Sequence, residues 1–217
     1  MGIEEAKKAA SIKAAEMISD GMRVGLGTGS TVQFFVERLI QRCREGLVIT
    51  AAASSERTKA QALGGGIQLI EEFTELDITV DGADEIDPQL RMIKGGGGAL
   101  LREKILASSS KQVVIIVDEH KKVAKLGRAK VPVEVARFGY KSTATKLKLP
   151  GAFRLNGQAL YQTDNGNYIY DVHLDAPIED PEKLHLEMIA IPGVIETGLF
   201  FGLNVSCIVG FEDGSVV

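Results

Sequence analysis

The chain has 217 residues, of which 45% are apolar, and its formal net charge at pH 7 is −4. This length suffices for one large domain, or for one domain that carries a smaller one, with a sizeable hydrophobic core. The negative net charge disfavours nonspecific binding to DNA or to an anionic membrane, so an anionic small molecule would need locally gathered cations.

The cysteines and the N-terminal segment bear on the compartment. The two cysteines, Cys43 and Cys207, have no paired spacing, which disfavours a disulfide framework or a cysteine-based zinc site and fits a reducing compartment. Residues 1–15 are charged and lack the apolar core of a signal peptide, and no apolar run reaches membrane-spanning length. We therefore expect a soluble, cytoplasmic protein.

The N-terminal segment has the pattern of an amphipathic helix. Apolar residues recur at helical spacing from about residue 3 to residue 18, and Ile12, Ala15 and Ile18 would share one face. Asp20 and Gly21 follow, and a glycine there is a common helix end. The segment therefore predicts one helix that ends before the first strand.

A strand, a turn of small residues and a second helix come next. The pattern predicts a short strand at Arg23–Leu26 that leads through Gly27–Thr31 into a helix from about Val32 to Arg44. Ser30 and Gln33 have capping-box spacing for that helix. This arrangement commonly binds phosphate, because the turn amides and the positive helix end favour an anion.

Two standard nucleotide-binding motifs are absent from this turn. In a dinucleotide fingerprint, G-x-G-x-x-G, the third glycine would fall at Ser30 or at Val32, depending on the starting glycine. The next predicted strand, Leu47–Thr50, is not followed by an acid placed for a ribose hydroxyl, and the P-loop G-x-x-x-x-G-K-[ST] is missing. The turn therefore favours a single phosphate or similar anion over NAD, ATP or GTP. A helix cap without a ligand is the alternative.

Carboxylates follow a later strand. A helix is predicted over about Ser55–Leu63 and strands over Ile67–Ile70 and Leu76–Val80, and this alternation favours a mostly parallel α/β sheet. In such sheets ligands bind beyond the carboxyl ends of the strands, where Asp81 and Asp84 would lie. Paired carboxylates can bind a metal, orient sugar hydroxyls or act in acid–base chemistry, although aspartates near glycine also simply cap turns.

The run from Lys94 to Lys104 is the most unusual stretch of the chain. Four consecutive glycines, Gly95–Gly98, are conformationally costly, and their gain is that no Cβ stands between the backbone amides and a ligand. A lysine precedes them and a predicted helix to about Ala107 follows, which suits an anion or a developing oxyanion. Glu103 lies inside this helix. The alternative is a flexible turn followed by a solvated glutamate.

A second candidate cation follows the next strand. The predicted strand Gln112–Val117 ends in Asp118-Glu119-His120-Lys121, again at a carboxyl end. Lys121 is therefore a candidate anion-binding residue, and a solvated surface lysine is the alternative.

Beyond about Gly127 the pattern predicts a second, smaller module. His173 and His185 lack metal-ligand spacing, so we expect structural or surface roles for them. A final apolar strand, Val205–Phe211, is expected to return to the first domain. The order of the intervening elements resembles a compact β-α-β-β-α-β module. These elements are the strand Val131–Val135, a helix near Gly139–Leu147, a β-hairpin of Ala159–Thr163 with Tyr168–His173 around Asp164-Asn165-Gly166, and the helix Asp180–Ala190.

Several segments of the chain match one known family. The main ones are Gly25–Thr31, Asp81–Glu85 and Lys94–Lys104, and the supporting ones are Asp118–Lys121, Val131–Val135, Asn165–Tyr168 and Pro192–Phe200. Together they resemble ribose-5-phosphate isomerase of the A type, over essentially the whole chain. The aspartate and lysine–glycine segments are specific, whereas the Gly/Thr/Ser turn alone is not. His120 stands where serine is expected, and we expect this to affect mainly the detail of a phosphate site, because Lys121 remains.

The resemblance implies both a fold and an activity. The fold would be α/β, with a Rossmann-like, mostly parallel sheet domain in residues 1–127 and 200–217 and an inserted α+β ferredoxin-like domain in residues 128–199. The family interconverts D-ribose 5-phosphate and D-ribulose 5-phosphate in the non-oxidative pentose phosphate pathway, without a metal or an organic cofactor. The implied partners are a pentose phosphate and further copies of the chain, as a dimer or a tetramer, but neither nucleic acid nor a membrane.

The resemblance also implies a role for each matching residue. Glu103 matches the base that moves a proton between C2 and C1, while Lys94 and the loop amides would stabilise the cis-enediolate. Asp81 and Asp84 would bind hydroxyls and relay the O1/O2 proton, and Asp81 would help to open the furanose ring; the division between them stays open. Ser30, Thr31 and Lys121 would hold the phosphate. The full set of substrate-binding residues is Thr28, Gly29, Ser30, Thr31, Asp81, Gly82, Ala83, Asp84, Lys94, Gly95, Gly96, Gly97 and Lys121.

Two other classes of protein stay open at this point. A related enzyme, such as an amino-sugar-phosphate deaminase or a CoA transferase, would release ammonia or form a glutamyl thioester. A non-enzymatic sugar-phosphate sensor would usually carry a DNA-binding module, for which this chain has neither spare length nor a basic face.

Overall fold

The computed structural model describes residues 2–217, which form two compact units. The first comprises the described residues up to Ala83, together with Arg102–Lys122 and Leu203–Val217. The second comprises Asp84–Leu101 and Val123–Gly202. The segment 84–101, expected in the Rossmann-like domain, groups with the second unit because its short strands pair there. No helix within residues 2–217 combines the length and the apolar composition needed to cross a membrane.

The described residues form six α-helices and fifteen strands, many of them short. The helices are α1 (Ile3–Glu16), α2 (Ser30–Arg44), α3 (Glu56–Gly64), α4 (Leu100–Ser108), α5 (Tyr140–Leu147) and α6 (Pro181–Ile189). The strands are β1 (Arg23–Leu26), β2 (Thr50–Ala53), β3 (Gln68–Leu69), β4 (Leu76–Asp81), β5 (Glu85–Ile86), β6 (Met92–Ile93), β7 (Ser110–Asp118), β8 (Val131–Val135), β9 (Gly151–Phe153), β10 (Leu155–Asn156), β11 (Ala159–Leu160), β12 (Tyr168–Val172), β13 (Val194–Thr197), β14 (Leu199–Phe200) and β15 (Val205–Gly210).

A six-stranded sheet organises the first unit. Its order is β15-β7-β4-β1-β2-β3, and every neighbouring pair is parallel. Leu26, the last residue of β1, pairs with Ala53 on one side and with Val80 on the other. β7, β4 and β1 are adjacent and parallel, so the turns that follow them lie together at the carboxyl ends of the strands. Open α/β sheets bind their ligands beyond these ends. The return of the C-terminal strand, β15, to this sheet is confirmed.

Small side chains bring the first helix close to this sheet. The buried side of α1 is made of residues such as Ala6, Ala10 and Ala14, and the helix packs against α2, β7 and β15. A Cβ at Gly210 on β15 would overlap the backbone of Ala6, so the approach is tight. The prediction that Ile12 shares one face with Ala15 and Ile18 is wrong, because Ile12 is 45% exposed whereas the other two are fully buried.

Two further local predictions in the first unit are wrong. Ser30 does not cap α2: the N-cap is Gly29, which makes no side-chain capping bond, and Ser30 is the first helical residue. The second strand is Thr50–Ala53 and not Leu47–Thr50. The apolar run Leu47–Ile49 suggested the earlier position, but Val48 is 70% exposed and the run lies before the strand. The observed strand is instead built of small residues that fit beside β1.

The second unit contains the β-α-β-β-α-β module expected from the sequence. Its four-stranded antiparallel sheet has the order β13-β8-β12-β9, with α5 between β8 and β9 and α6 between β12 and β13. Alternate residues of β8, namely Val131, Val133 and Val135, are fully buried in a core that includes Leu147 of α5 and Met188 of α6. The intervening Pro132 and Glu134 are buried as well, so β8 is covered on both faces.

The predicted hairpin between residues 159 and 173 is wrong in its pairing. Strand β12 pairs with β8 and β9, β11 pairs with β10, and only an isolated bridge joins Gln162 to Tyr168. The buried carboxylate of Glu134 on β8 accepts hydrogen bonds from Thr163, Asn165 and Asn167 at 2.9, 3.1 and 2.9 Å. These bonds draw the turn onto β8, which the local sequence pattern does not reveal.

Candidate active site

The turn after β1 ends at the N-terminus of α2. Gly29 is the N-cap and has a φ of 144°, a conformation that favours glycine. Ser30 and Thr31 then supply the first amides of the helix, where the partial positive charge favours an anion. The side-chain nitrogen of Lys7, on α1, donates to the Ser30 hydroxyl at 3.0 Å. A cation that the sequence analysis did not assign therefore stands at this turn.

The side chain of Thr28 is engaged within the protein. Its buried hydroxyl lies 2.7 Å from the Ser54 hydroxyl and 2.8 Å from the Ser55 hydroxyl. The neighbouring Thr58 hydroxyl donates to the carbonyl of Gly27 at 2.9 Å. This cluster of hydroxyl groups fixes the turn to the end of β2.

Asp81 ends β4 directly beside the same turn. Its Oδ1 accepts hydrogen bonds from the backbone N–H of Thr28 at 3.1 Å and from that of Gly82 at 2.7 Å. A Cβ on Gly27 would overlap the carboxylate, so this position requires glycine. Asp81 therefore lies where the sequence predicted it, at a carboxyl end of the sheet. Gly82 and Ala83 continue the chain from it toward Asp84.

Glu103 lies on the buried side of α4. It is 2% exposed, and Leu100 and Ala107, which share its helical face, are buried as well. Burying a carboxylate at a position otherwise filled by apolar side chains is costly, which favours a functional role over a structural one. The alternative of a solvated glutamate is contradicted by this burial. The preceding Arg102, in contrast, is directed to Glu56, with 2.9 Å between Nη1 and Oε1.

Lys121 follows β7 in a short 3₁₀-helix, Glu119–Lys121. Asp118 caps this turn by accepting a hydrogen bond of 3.1 Å from the backbone N–H of His120. Because β7 neighbours β4 in the sheet, Lys121 belongs to the same edge as Asp81. The exposed ring of His120 is 3.3 Å from Glu212 Oε1, so the residue that departs from the family pattern is directed to a surface carboxylate.

In the second unit, Lys94 is a buried cation. It follows β6, is 3% exposed, and its backbone N–H donates to the carbonyl of Gly198 at 2.9 Å. Its ammonium nitrogen lies 5.4 Å from the centroid of the Phe200 ring. Lysine is seldom fully buried unless its charge is compensated, and an aromatic face contributes attraction. The three-stranded sheet β14-β6-β5 that holds Lys94 was not predicted, because each of its strands has only two residues.

The glycine loop after Lys94 is held by surrounding side chains. Asp84 Oδ2 accepts a hydrogen bond of 2.7 Å from the backbone N–H of Gly96. Arg154 Nη1 donates to the carbonyls of Gly95 and Gly96 at 2.9 and 3.0 Å. A Cβ at Gly96 would lie 2.6 Å from Asp84 Oδ1, so only glycine allows this approach. These contacts contradict the alternative of a flexible turn.

Comparison with known proteins identifies the family. A family model described as ribose 5-phosphate isomerase A (phosphoriboisomerase A) matches residues 50–214, a range that includes Asp81, Lys94, Glu103 and Lys121. The chain belongs to the ribose 5-phosphate isomerase A family. The resemblance inferred from the sequence segments is thereby confirmed, and the chain is an enzyme of the isomerase class.

Individual members of the family are similar over almost the whole chain. A ribose-5-phosphate isomerase A of Protochlamydia amoebophila (strain UWE25) is 50% identical over 216 residues, covering 97% of this chain and 93% of that protein. A solved ribose 5-phosphate isomerase from Plasmodium falciparum has a TM-score of 0.95 at 35% identity, covering 99% of this chain and 97% of that one. A D-ribose-5-phosphate isomerase solved with phospho-erythronic acid has a TM-score of 0.94 at 35% identity, covering 100% of this chain and 99% of that one. These similarities confirm the expected α/β fold class.

Two side chains near the family's segments were missed in the sequence analysis. Lys7 meets Ser30 only because α1 packs on α2, and no local pattern links residues 23 positions apart. Arg154 reaches the glycine loop from a corner between two short strands, 58 positions beyond Gly96. Glu103 was assigned from the sequence, and a helical projection could also have indicated its burial, since it shares the face of Leu100 and Ala107.

Proposed function

We propose that the chain interconverts D-ribose 5-phosphate and D-ribulose 5-phosphate through a cis-enediolate. The observation that carries this proposal is the buried Glu103, on the helix that follows a fixed glycine loop and a buried lysine, in a member of the ribose 5-phosphate isomerase A family. One relative was solved with phospho-erythronic acid, a phosphorylated sugar acid. Such a compound combines a phosphate with a planar anion, the same two features that an enediolate phosphate presents.

The phosphate would be held at the edge of the parallel sheet. Ser30 and Thr31 offer helix N-terminal amides and hydroxyls, and Gly29 offers a turn amide, while Thr28, whose N–H is bonded to Asp81, would hold the turn in place. Lys121 would add one cation and Lys7, already 3.0 Å from the Ser30 hydroxyl, a second. Holding the phosphate positions the reacting carbons, so that remote binding energy contributes to catalysis.

Glu103 would act as the general base. Its carboxylate takes the proton from C2 of ribose 5-phosphate and returns it to C1, and the reverse reaction uses the same group. Burial of the side chain limits exchange of the held proton with water. A positioned base of this kind contributes about 10²–10⁴-fold to the rate.

Negative charge builds up on the enediolate oxygen during the transfer. Lys94 is the cation proposed to face it, together with the backbone N–H groups of Gly95 and Gly97, whereas the Gly96 N–H is bonded to Asp84 and would hold the loop in place. Donors fixed before the reaction stabilise such charge without reorganising, and the hydrogen bonds of the loop provide this rigidity.

Asp81 and Asp84 are proposed to bind the substrate hydroxyls and to relay the proton between O1 and O2. Asp81 would also help to open the furanose ring. Each carboxylate already accepts backbone hydrogen bonds, Asp81 from Thr28 and Gly82 and Asp84 from Gly96, which fixes the direction of its second oxygen. Gly82 and Ala83 would contribute the backbone between the two.

We also propose that the reaction needs neither a metal nor an organic cofactor, because Lys94 can supply the positive charge that a metal would otherwise bring. The resemblance to the family supports assembly as a homo-oligomer, a dimer or a tetramer. The unpaired cysteines support a cytoplasmic location. The expected partner remains a pentose phosphate.

A direct assay tests this function. The purified protein, dialysed against EDTA, is mixed with ribose 5-phosphate, and the formation of ribulose 5-phosphate is followed by NMR. Conversion to the equilibrium mixture without added metal is expected. Absence of conversion with and without divalent metal would refute the proposal. Release of ammonia from amino-sugar phosphates, or a glutamyl thioester with an acyl-CoA, would favour the deaminase or the CoA transferase instead.

A further inference from the structure

Arg154 connects two parts of the second unit. It lies between β9 and β10, and its Nε and Nη2 donate to the two carboxylate oxygens of Asp171 on β12 at 3.0 and 2.6 Å. Its Nη1 donates to the carbonyls of Gly95 and Gly96 at 2.9 and 3.0 Å. The two charged side chains are only 17% and 10% exposed, so solvent competes little with the ion pair between Arg154 and Asp171.

The two carbonyls belong to successive peptide planes of the glycine loop. In a trans peptide the C=O and the following N–H point in opposite directions. The Gly96 N–H, opposite the Gly95 carbonyl, donates to Asp84 at 2.7 Å, so Arg154 and Asp84 hold this plane at both ends. The next plane is held through the Gly96 carbonyl, which turns the Gly97 N–H away from the guanidinium.

We propose that Arg154, oriented by Asp171, is a positioning residue that sets these two peptide planes and thereby aims the Gly97 N–H at the developing enediolate. The inference rests on the proposed function, which assigns this amide to charge stabilisation. Neither Arg154 nor Asp171 acts on the substrate directly. Both act through the backbone of Gly95–Gly97.

The chemistry of the glycine loop and of the guanidinium group explains why residue 154 is an arginine. Glycine backbones have wide conformational freedom, so the shape of the loop depends on bonds from outside it. A guanidinium presents donors in one rigid plane and can bind a carboxylate on one side and two carbonyls on the other, which a lysine ammonium cannot do. The Tyr161 hydroxyl donates to the Gly97 carbonyl at 3.4 Å, and the Arg154 guanidinium carbon lies 5.8 Å from the centroid of the Tyr161 ring, so the support continues along the loop.

Steady-state kinetics of Arg154→Lys and Asp171→Asn test the proposal. Misplaced loop amides should lower kcat by about 10–100-fold, whereas KM for ribose 5-phosphate should change by less than about threefold, because the proposed phosphate ligands lie elsewhere. Arg137→Lys is the matched control, since Arg137 is an exposed arginine of the same unit that contacts the Tyr168 ring. Millimolar guanidinium should partly restore kcat to Arg154→Ala and leave the wild type unchanged.

Ligand binding separates positioning from a general loss of structure. The Kd of phospho-erythronic acid should rise about tenfold in Arg154→Lys, because its carboxylate needs the loop amides, while the Kd of inorganic phosphate should stay within about twofold. If Arg154→Lys does not fold, as judged by circular dichroism, Asp171→Asn provides the same comparison with the arginine kept.

Other outcomes would overturn the inference. They are an unchanged kcat in folded Arg154→Lys, equal weakening of both ligands, or the same loss in Arg137→Lys. A wild-type protein that fails to isomerise ribose 5-phosphate would instead refute the proposed function. An active wild type with a normal Arg154→Lys variant would refute the positioning role alone.

Discussion

Asp81 Oδ1, at the end of β4, accepts a hydrogen bond of 3.1 Å from the backbone N–H of Thr28, just after β1. The bond joins a proposed catalytic carboxylate to the turn proposed to bind phosphate. Because both lie at the same edge of the parallel sheet, the position of one depends on the conformation of the other. The proposed phosphate and hydroxyl contacts of the substrate are thereby set at a fixed spacing.

Gly27→Ala tests this dependence. The added Cβ would overlap the Asp81 carboxylate, so either the turn or the aspartate must move. We expect a loss of about 1–3 kcal/mol in the free energy of unfolding, the usual cost of overpacking, together with a large loss of isomerase activity. Urea denaturation and the isomerase assay measure the two effects.

Gly64→Ala is the control for this substitution. Gly64 ends α3, and a Cβ there meets no atom within 4 Å. The control should be as stable as the wild type or slightly more stable, since alanine favours a helix over glycine. A Gly27→Ala protein with wild-type stability and activity would show that the turn and Asp81 are not coupled.

The two lysines proposed at the phosphate should affect binding more than proton transfer. Lys7→Ala and Lys121→Ala should each raise KM for ribose 5-phosphate and the inhibition constant of inorganic phosphate by about tenfold. This factor corresponds to the loss of one hydrogen bond to a charged group, roughly 1.5 kcal/mol. Lys8→Ala is the matched control, because Lys8 pairs with Glu4 and Glu5 on the surface of the same helix. Competitive inhibition by phosphate that is equal in wild type and variant would remove that lysine from the phosphate site.

The reactivity of Cys207 provides a test that is independent of function. Burial raises the pKa of the Cys207 thiol from 9.0 to about 11, against the opposing charge of Lys122. Below pH 9 the thiolate fraction of Cys207 is thus about 100-fold smaller in the folded protein than in the unfolded chain. A thiolate of higher pKa is also a stronger nucleophile, which offsets part of this difference. Alkylation of Cys207 should therefore be about tenfold slower in the folded protein. Mass spectrometry of iodoacetamide-treated protein measures the rate. The folded protein should keep gaining reactivity up to about pH 11, and a plateau near pH 9 would contradict the shift.

Much of the first unit could be predicted because its central strands are rich in buried apolar and β-branched residues. Val113–Val117 in β7 is a continuous apolar run, β1 and β4 contain polar residues as well, and all three strands were found close to their predicted bounds. The predicted Leu47–Thr50 failed for the same reason: Leu47, Val48 and Ile49 look like a buried strand, whereas the chain uses the smaller Thr50–Ala53. Apolar character alone does not locate a strand next to a sheet that needs small residues.

The proposed site was predictable only where one segment carries the chemistry. Lys94 and Glu103 stand in one run with the glycines, and Asp81 and Asp84 stand in another. Contacts between distant segments could not be predicted, because Lys7 at Ser30 and Arg154 at the glycine loop both depend on packing and on two-residue strands. Such strands are too short to show a periodicity.

The central claim is that the carboxylate of Glu103 carries the proton between C2 and C1. Glu103→Gln keeps the size of the side chain, and glutamine is a good helix residue, so the fold should persist. Glu56→Gln, on the exposed start of α3, is the matched control.

Isotope exchange in D₂O is the most direct measurement, with deuterium in the product followed by NMR. The wild type and Glu56→Gln should isomerise ribose 5-phosphate and incorporate deuterium at the carbon-bound position at least in part, since a shielded carboxyl returns some of its own proton. Glu103→Gln should bind inorganic phosphate normally but lose turnover and exchange together, by about 10²–10⁴-fold or more. Near-normal turnover with continued exchange in Glu103→Gln would contradict the account and make Asp81 or Asp84 the leading candidate for the base.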